Sequence, residues 1–131
     1  MLGHVSIRVS DLTSSVDFYL KALSPLGFKP MAFPEVVGIG PAEPSASAPI
    51  PCFWLRKHTP NPGNDHAEKP TPVHISFYAS ERSQVDEFHK LGLEAGGRDN
   101  GPPGVRPFFE GYYAAYILDL DGNNIEVVKF S

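Results

Sequence analysis

Two histidines and a glutamate occupy positions in the sequence where side chains could hold a divalent metal. His4 heads the segment HVSIRVSD (4–11), His74 heads HISFYASE (74–81), and Glu126 lies inside NNIEVVKF (123–130). Each segment alternates with the period of a strand. Val5, Ile7 and Val9 share one face, and His4, Ser6 and Arg8 share the other. His74, Ser76 and Tyr78 repeat that polar face, while Asn124, Glu126 and Val128 alternate with Ile125 and Val127. A carboxylate in mid-strand is costly to bury unless something positive receives it. Two neutral imidazoles and a carboxylate around one divalent cation remove that cost. They also leave coordination positions open for water or substrate.

Other residues could serve such a site. Arg8 and Arg56 are candidates for holding an anionic group of a substrate, although an arginine on a cleft wall is commonly just solvated. Trp54, Tyr78 and Tyr113 could form an aromatic wall and could equally belong to the core. His66 falls in a polar linker, His89 is expected on the solvent side of a helix, and Cys52 reads as a small apolar filler.

The elements that must position these residues come in duplicate. Shifted by 70 residues, His4 meets His74, Ser6 meets Ser76, Asp11 meets Glu81 and Phe18 meets Phe88. A twofold internal repeat implies a pseudo-symmetric pair of units. In each, the first strand leads into a helix. Asp11 or Thr13 can cap the first helix, with Leu12, Val16, Tyr19, Leu20 and Leu23 on one stripe before Pro25 and Gly27 end it. Ser80 can cap the second, with Val85, Phe88 and Leu91 as a weaker stripe ending near Gly96 and Gly97. Strands follow near 29–33, 36–40 and 52–57, then near 98–100, 112–119 and 123–130, with Asp121-Gly122 as the last hairpin turn. The prolines gather in 41–51, 60–72 and 102–107, where they mark connections. The expected organisation is α+β: a βαβββ module over about 1–58, a linker over about 59–72 and a second module over about 73–131. Pseudo-symmetry favours the two first strands lying side by side, with both histidines entering one cavity, and the modules that close it could belong to one chain or to two subunits.

Composition narrows the partners. A formal charge of −4, a pI near 5.7 and no cluster of Lys or Arg argue against nucleic acid and anionic membranes. No apolar run reaches the length of a membrane span. One cysteine cannot form an internal disulfide, and a strand-like pattern begins almost at once, so a cytoplasmic protein is expected.

The opening HVSIRVSDLTSSVDFY, the second VHISF and the closing GYYAAYILDLDGNNIEVV, with its DxDGNxxE core, resemble the vicinal oxygen chelate superfamily. That group includes glyoxalase I, bleomycin- and fosfomycin-resistance proteins and extradiol ring-cleaving dioxygenases. The resemblance implies two βαβββ modules forming a curved mixed sheet around a cleft, helices outside. It implies that His4, His74 and Glu126 bind a divalent ion (Zn, Ni, Mn or Fe) and that the chain forms a homodimer. Its activity is then expected on a small molecule presenting two neighbouring oxygens, by lyase or isomerase chemistry. Glyoxalase I takes a fourth ligand, a glutamate, from the last strand of its first module, and PCFWLRKH (51–58) holds no carboxylate. This departure argues against a lactoylglutathione lyase. The three-ligand pattern resembles that of the dioxygenases, for which Tyr116 would be the active-site tyrosine and His58 the acid–base histidine. A non-catalytic drug-binding protein is the remaining alternative.

Overall fold

The computed structural model describes residues 1–42, 47–60 and 70–131. Its elements run β1 (Val5–Val9), α1 (Leu12–Ala22), a 3-10 turn (Ser24–Leu26), β2 (Phe28–Phe33), β3 (Val36–Pro41) and β4 (Phe53–Lys57). The order then repeats as β5 (His74–Tyr78), α2 (Arg82–Glu94), β6 (Arg98–Val105), β7 (Tyr113–Leu118) and β8 (Asn124–Lys129). The two expected βαβββ modules are therefore present. His66 and most of the expected linker lie outside the described residues.

The strands divide between two four-stranded sheets, ordered β1-β4-β3-β2 and β5-β8-β7-β6. Within each sheet the first strand runs parallel to the last, and the other pairings are antiparallel. The expected side-by-side pairing of the first strands is not made within the chain: β1 pairs with β4 alone and β5 with β8 alone among the described residues. Each is an edge strand with unpaired backbone groups along one side.

Both helices cover the apolar faces of the sheets. Asp11 caps α1 by accepting from the Ser14 N–H at 2.8 Å, and Gly27 takes the left-handed conformation (φ 74°) that turns the chain into β2. The buried stripe of α1 is Ser15, Phe18, Tyr19 and Ala22, with Leu12, Val16 and Leu20 only half-buried at its margin. In α2 the cap is Glu81 rather than Ser80, closed by a reciprocal capping box with Gln84. Gln84 also donates from Nε2 to the Pro25 carbonyl at 2.9 Å, tying α2 to the first module. Strand β6 runs through Pro102 and Pro103 to Val105, further than the prolines suggest. It tolerates them because it is an edge strand and its register with β7 shifts on either side of Gly101.

One core serves both modules. Tyr19 and Phe53 lie edge to face with centroids 4.9 Å apart, and Phe77 of β5 packs against Phe28 and Phe53, each at 5.5 Å. Phe18, Phe88, Ile117, Ile125 and Val127 fill the remainder. Burying one such side chain contributes about 1.5–3 kcal/mol. The turn after β7 adds a polar lock. Asp119 is buried and accepts from the Asp121 and Asn123 N–H groups at 2.9 and 2.8 Å, from Asn123 Nδ2 at 2.7 Å and from the hydroxyl of Tyr19. Asp121 in turn accepts from the Ser10 N–H at 3.0 Å. The DLDGNN turn thus fastens the second module to α1 and β1 of the first.

Candidate metal and ligand site

Parallel pairing of β5 with β8 sets Ser76 opposite Glu126 and His74 opposite Asn124. Their side chains share the polar face, so the imidazole leans over the carboxylate. His74 Nε2 and Glu126 Oε2 are 3.0 Å apart. Asn124 donates from Nδ2 to His74 Nδ1, which puts the ring proton on Nε2, where it is given to Glu126. Asn124 Oδ1 accepts from Asn100 Nδ2 at 3.1 Å. Glu126 is only 3% exposed, and its second oxygen accepts from the hydroxyl of Tyr112.

These groups line an open cavity of about 520 Å³, whose other walls are Asn100, Phe108, Phe109 and Tyr116. The ring of Tyr116 lies 6.2 Å from that of His74. Burial, and then the negative charge of Glu126, raises the pKa of Tyr116. Tyr112 is pushed up further, by burial first and then by its hydrogen bond to Glu126, so both phenols hold their protons at neutral pH. Tyr112 had escaped the sequence reading, yet strand parity carried the signal: 112, 114 and 116 fall on one face.

The structure places His4 elsewhere. It stands exposed before β1, edge-on to Trp54 with centroids 6.3 Å apart, beside a separate apolar hollow of about 670 Å³ that also touches Ile75, Phe77 and Tyr78. Among the described residues no three His, Cys, Asp or Glu side chains are grouped as a metal would need. The structure therefore brings together His74 and Glu126, not all three expected ligands. The donor pair itself suits a divalent ion, since an imidazole nitrogen open to the cavity already faces a buried carboxylate oxygen.

Register also settles which first-module residue corresponds to Glu126. Ser6 of β1 faces Trp54 of β4, as Ser76 of β5 faces Glu126 of β8. Trp54 thus takes the place where a fourth carboxylate would stand, and it is stacked on Phe33.

The other candidates scatter. Arg8 and Arg56 face each other across β1 and β4, both exposed, and Arg56 borders a small hollow with Glu35 and Lys57. Tyr78 is exposed and lies against Phe130. Tyr113 points the opposite way from Tyr116: its hydroxyl donates to Asp86 at 2.6 Å and Arg82 of α2 stacks on its ring, which sets it on the helix side. His58 is buried just after β4, its N–H bonded to the Val9 carbonyl at 2.8 Å. His89 is not solvated as expected but pairs with Asp99 at 2.9 Å.

Residues 1–127 match the model of the Glyoxalase/Bleomycin resistance protein/Dioxygenase superfamily. Among solved structures, a glyoxalase/bleomycin resistance protein from Albidiferax ferrireducens T118 is 29% identical with a TM-score of 0.74, covering 97% of this chain and 96% of its own. A family enzyme from Burkholderia phytofirmans PsJN (17% identity, TM-score 0.68, coverage 99% and 98%) shares the fold. So does a lactoylglutathione lyase from Agrobacterium tumefaciens (20% identity, TM-score 0.64, coverage 98% and 92%). No curated protein sequence matches the chain.

Proposed function

Because the chain belongs to the Glyoxalase/Bleomycin resistance protein/Dioxygenase superfamily, we propose that it is a metal-dependent enzyme acting on a small molecule with two neighbouring oxygens. The observation that carries this reading is the contact between the half-exposed His74 Nε2 and the buried Glu126 Oε2 at 3.0 Å, beside a cavity large enough for such a molecule. His74 and Glu126 would hold the ion together with His4. When bound, a divalent ion supplies a Lewis acid that polarises substrate oxygens. The chain's own part is to keep Glu126 in place through Tyr112, to orient His74 through Asn124, and to offer the protonated Tyr116 phenol at the cavity wall.

His4 reaches that site from a second copy of the chain. The open edges of β1 and β5 supply the pairing surfaces, and exposed Leu2, Ile50, Val73 and Tyr78 cluster around them. A homodimer in which the first module of one copy adjoins the second module of the other restores the expected side-by-side strands. It produces two sites, each with His4 from one copy and His74 and Glu126 from the other. With Trp54 at the fourth position, lyase or isomerase chemistry on a carbonyl fits better than the lactoylglutathione reaction, which needs a carboxylate there. Ring cleavage is the second reading, favoured by the placement of Tyr116 beside His74. The lone cysteine and acidic charge support a cytoplasmic setting.

Metal analysis and calorimetry test the proposal. The wild type should take up about one divalent ion per chain from Zn, Ni, Mn or Fe, and His74→Ala and Glu126→Gln should lose it together with turnover. Failure of the folded wild type to bind any of these ions would end the reading.

A further inference from the structure

The polar groups along the cavity wall form one chain of hydrogen bonds in which every donor points the same way. Asn100 donates from Nδ2 to Asn124 Oδ1 at 3.1 Å, Asn124 donates from Nδ2 to His74 Nδ1, and His74 gives its Nε2 proton to Glu126. Asn100 is the outermost member. It is exposed at the cavity wall, and Asn124 is the one side-chain partner its amide has among the described residues.

The backbone of β6 explains why Asn100 stands there. Asp99 lies opposite Ile117 and Gly101 opposite Tyr116, so two residues of β6 stand against one of β7. Asn100 is the extra residue of a bulge, a feature that re-aims a side chain. On one side of it glycine is required: Gly101 has φ 151°, and a Cβ there would lie 2.8 Å from Tyr116 Cδ2. On the other side the bulge is anchored. Asp99 Oδ1 accepts from the Gly101 N–H at 2.9 Å and meets Nε2 of the partly buried His89 at 2.9 Å, which pins the bulge to α2.

The direction of the chain bears on a metal. With an ion on Nε2, the imidazole proton belongs on Nδ1, and the donors must run outward from His74. Asn124 then accepts through Oδ1, which turns its Nδ2 toward Asn100 and calls for an acceptor there. A carboxamide at 100 suits both directions, because it carries a donor and an acceptor on one pivot. We propose that Asn100 is a positioning residue: through Asn124 it fixes the orientation of His74 in the metal-free protein, and it supports the reversed arrangement when a divalent ion is bound. The second half rests on the metal reading above; the first does not.

Asn100→Leu keeps the side chain's size, removes both polar groups and tests the two halves separately. In metal-free full-length protein, nitrogen-15 relaxation of the Asn124 side-chain amide should report a rigid group in the wild type. In Asn100→Leu, with an unchanged circular dichroism spectrum, that amide should become mobile. Zn titration by calorimetry should give an affinity about two- to tenfold weaker for Asn100→Leu, the worth of one hydrogen bond. Asn100→Asp, which offers an acceptor alone, should restore it. On an Asn124→Leu background, Asn100→Leu should weaken Zn binding no further, because the bond it removes is already gone. An Asn124 amide as rigid in folded Asn100→Leu as in the wild type would overturn the inference. So would an Asn100→Asp variant no tighter for Zn than Asn100→Leu, or an equal loss of Zn affinity on both backgrounds. Wild-type protein that binds no Zn, with the Asn124 amide mobile in Asn100→Leu, would defeat the metal reading and leave the positioning of His74 standing.

Discussion

Asn124 and Tyr112 decide how His74 and Glu126 are presented, though neither is an expected ligand. A metal-binding imidazole commonly donates its other ring N–H to an acceptor; with the ion on Nε2 that proton sits on Nδ1, where Asn124 meets the ring and would accept it through Oδ1 once its amide turns over. On the proposed reading, Asn124→Leu leaves His74 without that partner and should weaken divalent-ion affinity about 10–100-fold, measured by calorimetry, while thermal stability changes little. Tyr112→Phe removes one of the two groups bonded to Glu126 and should weaken the ion less than Glu126→Gln does. A drop in affinity for Tyr112→Phe equal to that of Glu126→Gln would instead make the phenol itself a ligand.

Between elements, the buried contact of Tyr19 with Asp119 joins α1 to the β7–β8 turn, and through it one module to the other. Tyr19→Phe removes a hydrogen bond to a charged group and should cost about 1.5–3 kcal/mol of stability at neutral pH by denaturant unfolding. Burial, then the charge of Asp119, raises the Tyr19 pKa. The folded protein therefore keeps this proton at pH values where the unfolded chain releases it. The stabilisation is complete below about pH 10, the unfolded value, and is lost as the pH rises toward the folded one. The stability gap between wild type and Tyr19→Phe should accordingly shrink above about pH 10. The sequence made most of these elements legible, because strand alternation and helix periodicity are local signals. Asp11 as a cap and Asp121-Gly122 as a turn followed from the same logic. What it hid was set by tertiary contact. Strand β6 keeps its prolines because it lies on an edge, and Tyr113 finds Asp86 and Arg82 of α2 behind its strand, whereas the Glu81–Gln84 capping box and the opposition of Tyr113 to Tyr116 are local signals that the sequence also carried. Tyr112 was within reach of that parity argument, whereas Phe108 and Phe109 lie on a loop with no period to betray them.

For the whole molecule, the repeat predicted equivalent positions but not how the two modules meet. The core joins them through α1, α2 and Phe77, β1 and β5 each keep one open edge among the described residues, and His4 lies apart from His74 and Glu126. The claim that a second copy closes the site is tested most directly by mixing inactive subunits. His4→Ala and Glu126→Gln chains should each bind no more than traces of metal alone. Unfolded together and refolded at equal amounts, they should recover about a quarter of the wild-type metal sites, because half the dimers are mixed and each mixed dimer holds one intact site. A mixture as empty as its two components, although dimeric and folded, would contradict a site shared between copies.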